Sequence, residues 1–268
     1  MTAPTTTLIS AGLELLHAGP QPASSLPRIT AQTALFLDFD GTLVDIAEQP
    51  GLVQVSPDLP NLLAELHTAL GGALAIVSGR KLSDLDHFLA PQRLPVSAEH
   101  GAQFRLGDGS LSQAASPDLH EVSRVALALA AQHAGLEVEL KTTAVSLHYR
   151  QAPQLEAICL EAMAEAVKRS PGLELLQGKC VFDIKASGVS KGLAIATLMG
   201  QPLFAGRVPL FAGDDTTDEA GFAAVQGLGG EGIKIGVGHS LAERRCTSPT
   251  ELRQWLKTSL RDLQGNLS

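Results

Sequence analysis

Short, fully apolar runs alternate with amphipathic stretches in the first part of the chain. The runs begin at Ala34 (ALFLDF), Ala73 (ALAIVSGR) and Leu94 (LPVSAE), and each has the length of a strand. Strands that are apolar at every position are typical of parallel sheets, which are covered on both faces. The intervening segments 56–70 and 81–89 have helical spacing, with Ser56 as the expected cap and Pro57 in the first turn. This alternation predicts a doubly wound α/β sheet.

The pattern changes after His100-Gly101. Residues 102–114 (AQFRLGDGSLSQA) predict a hairpin around Asp108-Gly109, and four further strand-like runs follow in two pairs: LEVEL, TAVSLHYR, LELLQ and KCVFDIK. Helical segments at 117–133 and 153–168 separate them. Strand pairs alternating with helices predict a small α+β module inserted into the first domain, at residues 103–187.

The first pattern then returns. Ser190 is expected to cap a helix, VPLFAG and GIKIGV predict buried strands, and ELRQWLKTSL predicts a closing helix. The predicted division is therefore an N-terminal extension at 1–30, a core at 31–102 and 188–268, and the insertion between the two core parts. A short helix is expected at residues 5–17.

Composition and charge exclude several classes of protein. The 268 residues carry a net charge of −8 and no basic stripe, which argues against nucleic-acid binding, and Arg244-Arg245 is interpreted as solvated surface. Three widely spaced cysteines form neither a metal-ligand pattern nor a disulfide framework. With no signal-like N-terminus and no membrane-length apolar run, a cytoplasmic location is expected.

Acidic residues follow the first apolar run directly. Asp38 and Asp40 come at its end, and the carboxyl edge of an open α/β sheet is where such proteins bind ligands. Two carboxylates at this spacing could hold a hard cation, and Gly41 permits a sharp turn that presents backbone N–H groups to phosphate. A simple capped turn would use the same residue types.

Three further strand or helix ends carry polar groups to the same predicted edge. Ser78 ends the second run, Lys191 begins a helix, and Gly213-Asp214-Asp215 ends another strand with Asp218 close behind. Each has an ordinary alternative as a turn or cap residue. Their convergence on one edge favours a phosphate site.

The motifs DFDGT (38–42), SGR (78–80), Lys191 and GDDTTDE (213–219) together resemble the haloacid dehalogenase superfamily of phosphohydrolases. The resemblance implies a Rossmann-like parallel core with Asp38 as the nucleophile and Asp40 as the general acid and base. It also implies Mg²⁺ held by the side chain of Asp38, the backbone carbonyl of Asp40 and Asp214, with Asp215 and Asp218 ligating directly or through water. Phosphate contacts are expected from Ser78, Lys191, Gly41, Thr42 and Arg80.

A narrower resemblance, to the trehalose-6-phosphate phosphatase family, covers residues 34–255. AEHGAQFR (98–105), SLHYRQAP (146–153), QGKCVFDIK (177–185) and SKG (190–192) carry it. It implies that the insertion is a specificity cap of the C2B type and that trehalose 6-phosphate is the substrate. Sugar contacts are then expected from residues near the hinge and on the cap, namely Glu99, His100, Gly101, His148, Arg150, Lys179 and Asp183. The family usually has Glu at the position of Asp183, and this chain has the shorter Asp there.

Other functions remain open at this point. A related capped phosphatase acting on sucrose phosphate or a mannosyl phosphoglycerate would share the core motifs, and so would a phosphosugar mutase. A catalytically silent partner of a trehalose-phosphate synthase is disfavoured, because a binding module has no need of both Asp38 and Asp40. If the chain is active, functional pairing with such a synthase is expected.

Overall fold

Two sheets organise residues 26–265, the part of the chain that the computed structural model describes. The helix expected at residues 5–17, and most of the predicted extension 1–30, lie outside the described residues. Among the described helices, none combines the length and the apolar character that crossing a bilayer requires.

In the described part of the chain the larger sheet has eight strands: β1 (Thr33–Leu37), β2 (Leu74–Val77), β3 (Val96–Ala98), β4 (Gln103–Arg105), β5 (Leu111–Gln113), β10 (Val208–Gly213), β11 (Glu231–Ile235) and β12 (Arg244–Cys246). Their spatial order is β12-β11-β10-β1-β2-β3-β4-β5. All neighbours from β12 to β3 are parallel, and β3-β4-β5 is antiparallel. Every residue of β1 is buried, so the sheet is covered on both faces, as the apolar run predicts.

Helices α1 and α7 pack on each other, as do α5 and α6, and both pairs contribute to the main hydrophobic core. The helices of the larger layer are α1 (Leu59–Ala69), α2 (Leu82–Phe88), α5 (Lys191–Met199), α6 (Glu219–Gly227) and α7 (Pro249–Gly265). Short 3-10 turns span Pro50–Leu52, Glu99–Gly101 and Thr216–Asp218. The Ser190 hydroxyl accepts the N–H of Leu193, which confirms the predicted cap of α5.

The smaller sheet is antiparallel, in the order β6-β7-β9-β8, and has a separate hydrophobic cluster. Its elements are β6 (Glu137–Leu140), β7 (Ala144–His148), β8 (Leu173–Gly178), β9 (Val181–Ala186), α3 (His120–Gln132), α4 (Glu156–Lys168) and a 3-10 turn at Pro153–Leu155. We call residues 120–186 the inserted module. β1 and β10 pair in parallel although the module separates them in sequence, so the core closes behind the insertion.

Three local predictions are corrected. The hairpin β4-β5 extends the larger sheet, whereas the sequence assigned it to the insertion; the domain limits themselves stay a prediction. α1 begins at Leu59, with Asp58 at its N-cap and Pro60 rather than Pro57 in its first turn. Ser56 lies two residues before the N-cap and therefore does not cap the helix. Arg244 and Arg245 form part of β12 and are half-buried rather than solvated.

Candidate active site

Asp38, Lys191 and Asp218 meet at the carboxyl edge of the larger sheet. Asp38 directly follows β1, and its backbone N–H still bonds the carbonyl of Ala212 in β10. The Lys191 ammonium, at the start of α5, donates to Asp38 Oδ1 at 2.7 Å and to Asp218 Oδ1 at 2.5 Å. All three side chains are buried, so strand, helix and loop together fix two carboxylates against one cation.

A group of three buried carboxylates forms here, because Asp214 joins Asp38 and Asp218 with ligand oxygens within 4.8 Å of one another. The second oxygen of Asp218 accepts the backbone N–H groups of Asp214 and Asp215, at 2.9 and 2.8 Å, and so shapes the loop after β10. Each of these three side chains offers a carboxylate oxygen as ligand. Such a donor set fits a hard divalent cation of the Mg²⁺ type.

Burial dominates the electrostatics of the cluster. It raises the pKa of Asp38 well above its usual value, and the Asp218 and Asp214 charges add to this against the opposing effect of Lys191. Burial likewise raises the pKa of Asp214, against the Lys179 ammonium. Burial lowers the pKa of Lys191, but its two carboxylate partners outweigh this and raise it. The lysines alone therefore do not offset the desolvation of Asp38 and Asp214.

Asp40 lies next to this cluster and is held by Arg80. The guanidinium donates from Nε to Asp40 Oδ2 at 2.6 Å and from Nη2 to Oδ1 at 2.7 Å. Arg80 also lies over the rings of Phe39 and Phe88, at 5.6 and 4.9 Å from their centroids. Its backbone N–H bonds the hydroxyl of the buried Ser78. Asp40 is thus oriented by a residue that is itself fixed by stacking.

The turn after Asp40 packs directly behind the carboxylates. Gly41 has φ +77°, and a Cβ atom there would lie 2.2 Å from Asp214 Oδ2, so only glycine fits without displacing that carboxylate. The Thr42 hydroxyl donates to Asp38 Oδ2 at 3.2 Å. Gly41 and Thr42 therefore support the site from behind and do not line its cavity.

The inserted module closes the other side of the cavity. Lys179 Nζ, on the turn between β8 and β9, donates to Asp214 Oδ2 at 2.7 Å. Asp183 is buried, accepts from the Ser146 hydroxyl, and lies 3.4 Å from Lys141 Nζ. Burial raises the pKa of Asp183, but the Lys141 charge and the interactions of the carboxylate with His100 and Ser146 outweigh it and hold that pKa well below its usual value. Lys141 also donates to the Gly79 carbonyl of the larger layer at 2.9 Å.

Glu99 and His100 connect the two layers. The fully buried Glu99 carboxylate accepts the N–H groups of Thr142 and Thr143, at 3.1 and 2.6 Å, and the Thr143 hydroxyl at 2.5 Å. His100 has φ +60°, packs against Gly79, and places Nε2 3.3 Å from Asp183 Oδ2. Burial lowers the pKa of His100, against the opposing effect of the Asp183 carboxylate.

Six of the residues expected to bind substrate line the cavity: Arg80, His100, His148, Arg150, Lys179 and Asp183. Gly41, Thr42, Glu99 and Gly101 do not, and Glu99 instead bonds the module. Of the expected metal ligands, Asp38, Asp40, Asp214 and Asp215 face the cavity, but only Asp38 and Asp214 share the three-carboxylate group with the buried Asp218.

Sequence reasoning missed Glu139 and Lys141, which also line the cavity. Glu139 Oε2 lies 3.3 Å from His148 Nε2, and Arg150 donates to the Lys179 carbonyl at 2.8 Å. Positions 139 and 141 share one side of the extended segment that contains β6, but this alternation does not tell which side faces the cavity.

Known proteins are similar to this chain over most of its length. The family model described as trehalose-phosphatase matches residues 36–251. The chain belongs to the trehalose-phosphatase family. It is 40% identical over 246 residues to a trehalose-6-phosphate phosphatase of Escherichia coli (strain K12), covering 91% of this chain and 92% of that protein.

Two further relatives agree with this family. A probable trehalose-phosphate phosphatase of Sinorhizobium fredii (strain NBRC 101917 / NGR234) is 43% identical over 205 residues, which is 76% of this chain and 77% of the relative. The C-terminal domain of a C. albicans trehalose-6-phosphate phosphatase superposes with a TM-score of 0.79 at 21% identity, over 87% of this chain and 93% of that one. The latter supports the fold of this trehalose-phosphatase family member, a large and mainly parallel sheet with a separate small antiparallel sheet.

Proposed function

We propose that the chain hydrolyses trehalose 6-phosphate to trehalose and inorganic phosphate, with Asp38 as the nucleophile. The observation that carries the mechanism is the buried Asp38 carboxylate, bonded by Lys191 at one oxygen and by Thr42 at the other. Two fixed donors aim this carboxylate at the cavity. Family membership supports the substrate and the reaction class.

The reaction would proceed in two balanced steps. An Asp38 oxygen attacks phosphorus, the bond from phosphorus to the sugar oxygen breaks, and Asp40 gives its proton to that oxygen. Water then attacks the aspartyl phosphate as Asp40 takes a proton from it, which releases inorganic phosphate and restores Asp38. Lys191 and Ser78 are placed to stabilise the charge on the transferred group.

Asp38 and Asp214 are proposed to hold Mg²⁺, together with the backbone carbonyl at Asp40, and Asp218 adds a third buried carboxylate to the group. When bound, the cation would screen the repulsion between the carboxylate nucleophile and the anionic phosphate. Asp215 was expected to contribute as well, and its carboxylate has a different partner in this structure.

The inserted module is proposed to be a cap that selects the sugar. His148, Arg150, Lys179 and Asp183 present both donors and acceptors to the cavity, as recognition of a polyhydroxylated ring requires. A module that closes over the site also excludes water from the phosphoryl transfer. Cytoplasmic location and pairing with a trehalose-phosphate synthase remain predictions.

The test is phosphate release from trehalose 6-phosphate, with and without Mg²⁺, beside sucrose 6-phosphate, glucose 6-phosphate and a mannosyl phosphoglycerate. Mg²⁺-dependent release with the highest kcat/KM for trehalose 6-phosphate is expected, and none from Asp38→Asn. A clearly higher kcat/KM for another sugar phosphate would replace the proposed substrate while keeping the chemistry. Phosphate transfer that requires a sugar acceptor would indicate a mutase, and no release from any ester would overturn the proposal.

A further inference from the structure

The turn between β8 and β9 rests on the loop that follows β10. Lys179 contacts this loop twice: its backbone N–H donates to Asp215 Oδ2 at 3.2 Å, and its ammonium donates to Asp214 Oδ2 at 2.7 Å. One contact belongs to the backbone and fixes where the turn lies. The other belongs to a flexible side chain that is about half exposed. The backbone contact is therefore the one that can fix the position of the Lys179 Cα atom, from which the side chain extends.

The fit between this turn and Asp215 is close. A Cβ atom on Gly178 would lie 2.8 Å from Asp215 Oδ2 and 2.9 Å from Val181 Cγ1, so a side chain at this position would push the turn off the loop. Cys180 has φ +60°, which turns the chain sharply into β9. Arg150 bonds the Lys179 carbonyl from the module side. The turn is thus held between its own module and Asp215.

Asp215 is also set apart from its acidic neighbours. Its Oδ1 accepts the N–H of Thr216, its Oδ2 accepts that of Lys179, and its carboxylate is not part of the group formed by Asp38, Asp214 and Asp218. Both of its oxygens accept backbone N–H groups, one on each side of the interface between the layers. Asp215 therefore joins the loop after β10 to the turn between β8 and β9.

We infer that Asp215 is a positioning residue that docks the Gly178–Lys179 turn and thereby places the Lys179 ammonium over the carboxylate group. This inference rests on the proposed function for its kinetic consequences only. In this role Asp215 contributes to the binding of substrates that contact the inserted module. Asp215 itself does not ligate the cation.

The decisive pair of variants is Asp215→Ala and Asp215→Asn. Asparagine keeps an oxygen that can accept the Lys179 N–H, and alanine does not. Losing a hydrogen bond to a charged acceptor costs enough to raise KM for trehalose 6-phosphate about tenfold in the alanine variant. We expect kcat to change much less, and the asparagine variant to be close to wild type. Hydrolysis of p-nitrophenyl phosphate, which offers no sugar to the module, should be little changed in both.

Cation binding separates this role from ligation. Mn²⁺ binding, followed by electron paramagnetic resonance without substrate, is expected to be alike in wild type and both variants. If Asp215 were a ligand, both substitutions would weaken Mn²⁺ binding, and p-nitrophenyl phosphate hydrolysis would fall with it. That result would overturn the inference.

Amide exchange gives a readout that needs no activity. In full-length protein, the segment containing Lys179 should exchange faster in Asp215→Ala than in wild type, and at the wild-type rate in Asp215→Asn. Equal protection in all three proteins would overturn the docking role. If wild type failed to hydrolyse trehalose 6-phosphate, the proposed function would fail, and the exchange result would still decide the role of Asp215.

Discussion

Arg80 holds Asp40 by two hydrogen bonds of 2.6 and 2.7 Å, between residues 40 positions apart in sequence. The guanidinium is nearly buried and stacked on two phenylalanines, whereas the Asp40 side chain keeps about a third of its exposure. The pair thus combines a fixed cation with a carboxylate that faces the cavity. In the proposed mechanism, this pairing sets the direction from which the proton is delivered.

Substituting Arg80 by Lys is therefore expected to slow turnover. A lysine ammonium is a point charge that cannot bond both carboxylate oxygens in one plane, so Asp40 loses its fixed orientation. We expect kcat for trehalose 6-phosphate to fall by about tenfold to a hundredfold, measured at saturating substrate and Mg²⁺. The neighbouring Lys81→Ala removes a charge without touching Asp40 and should retain most of the activity. Wild-type kcat in Arg80→Lys would contradict the orienting role.

A side chain at position 41 is predicted to impair the site, because Asp214 occupies the space where its Cβ atom would lie. Alanine at this position would place Cβ 2.2 Å from Asp214 Oδ2 on a backbone with φ +77°. Displacing a catalytic group by about 1 Å can cost on the order of a hundredfold in rate. We expect a loss of that size in kcat/KM, with weaker Mn²⁺ binding. Gly51→Ala is the matched control, since its added Cβ meets nothing within 4 Å. Equal activity of the two variants would refute the argument.

Glu99 is predicted to stabilise the junction between the two layers. Its carboxylate accepts three hydrogen bonds from Thr142 and Thr143, so Glu99→Ala leaves buried donors without a partner. We expect the free energy of unfolding to fall by about 3 kcal/mol, and by about 1 kcal/mol in Thr143→Val. Urea denaturation of both variants and of the double variant should show a combined loss smaller than the sum. The exposed Glu161→Ala should change stability by less than about 0.5 kcal/mol. Additive losses would show that the two residues do not act together.

His100 is predicted to make stability fall at acidic pH. Burial lowers its pKa from the ordinary value of 6.5, so the unfolded chain binds a proton at this residue more readily than the folded chain. Stability from this residue is complete above the unfolded pKa and is lost as pH falls below it. We expect the unfolding free energy of wild type to drop more steeply below pH 6.5 than that of His100→Asn, by up to about 1.4 kcal/mol per pH unit. Asparagine tolerates the left-handed backbone at this position. Parallel pH profiles of the two proteins would contradict the prediction.

The sequence predicts the strands of the core well, because β1, β2 and β10 are apolar and end at polar groups that a parallel sheet brings to one edge. It misses β12, since Arg244 and Arg245 belong to a half-buried edge strand without an apolar run. It also misplaces the β4-β5 hairpin, because the pattern of a strand pair does not tell which sheet the pair joins.

The sequence predicts those site residues that lie at the ends of core strands or at the start of a core helix. Asp38, Ser78, Lys191 and Asp214 follow from position along the core. Glu139 and Lys141 form part of the cavity only once the module packs over the sheet edge, and no local pattern encodes that packing. The contacts of Glu99 and Asp215 likewise depend on the two layers meeting.

The most direct test of the account is to trap the phosphorylated enzyme. Asp40→Asn removes the proposed base for hydrolysis, and p-nitrophenyl phosphate has a leaving group that needs no proton from Asp40. After this variant is mixed with p-nitrophenyl phosphate and Mg²⁺ and quenched with acid, peptide mass spectrometry should find a phosphoryl group on the peptide containing Asp38. Asp38→Asn should give none. If wild type releases phosphate while no phosphoryl group can be trapped on Asp38, the covalent mechanism is wrong.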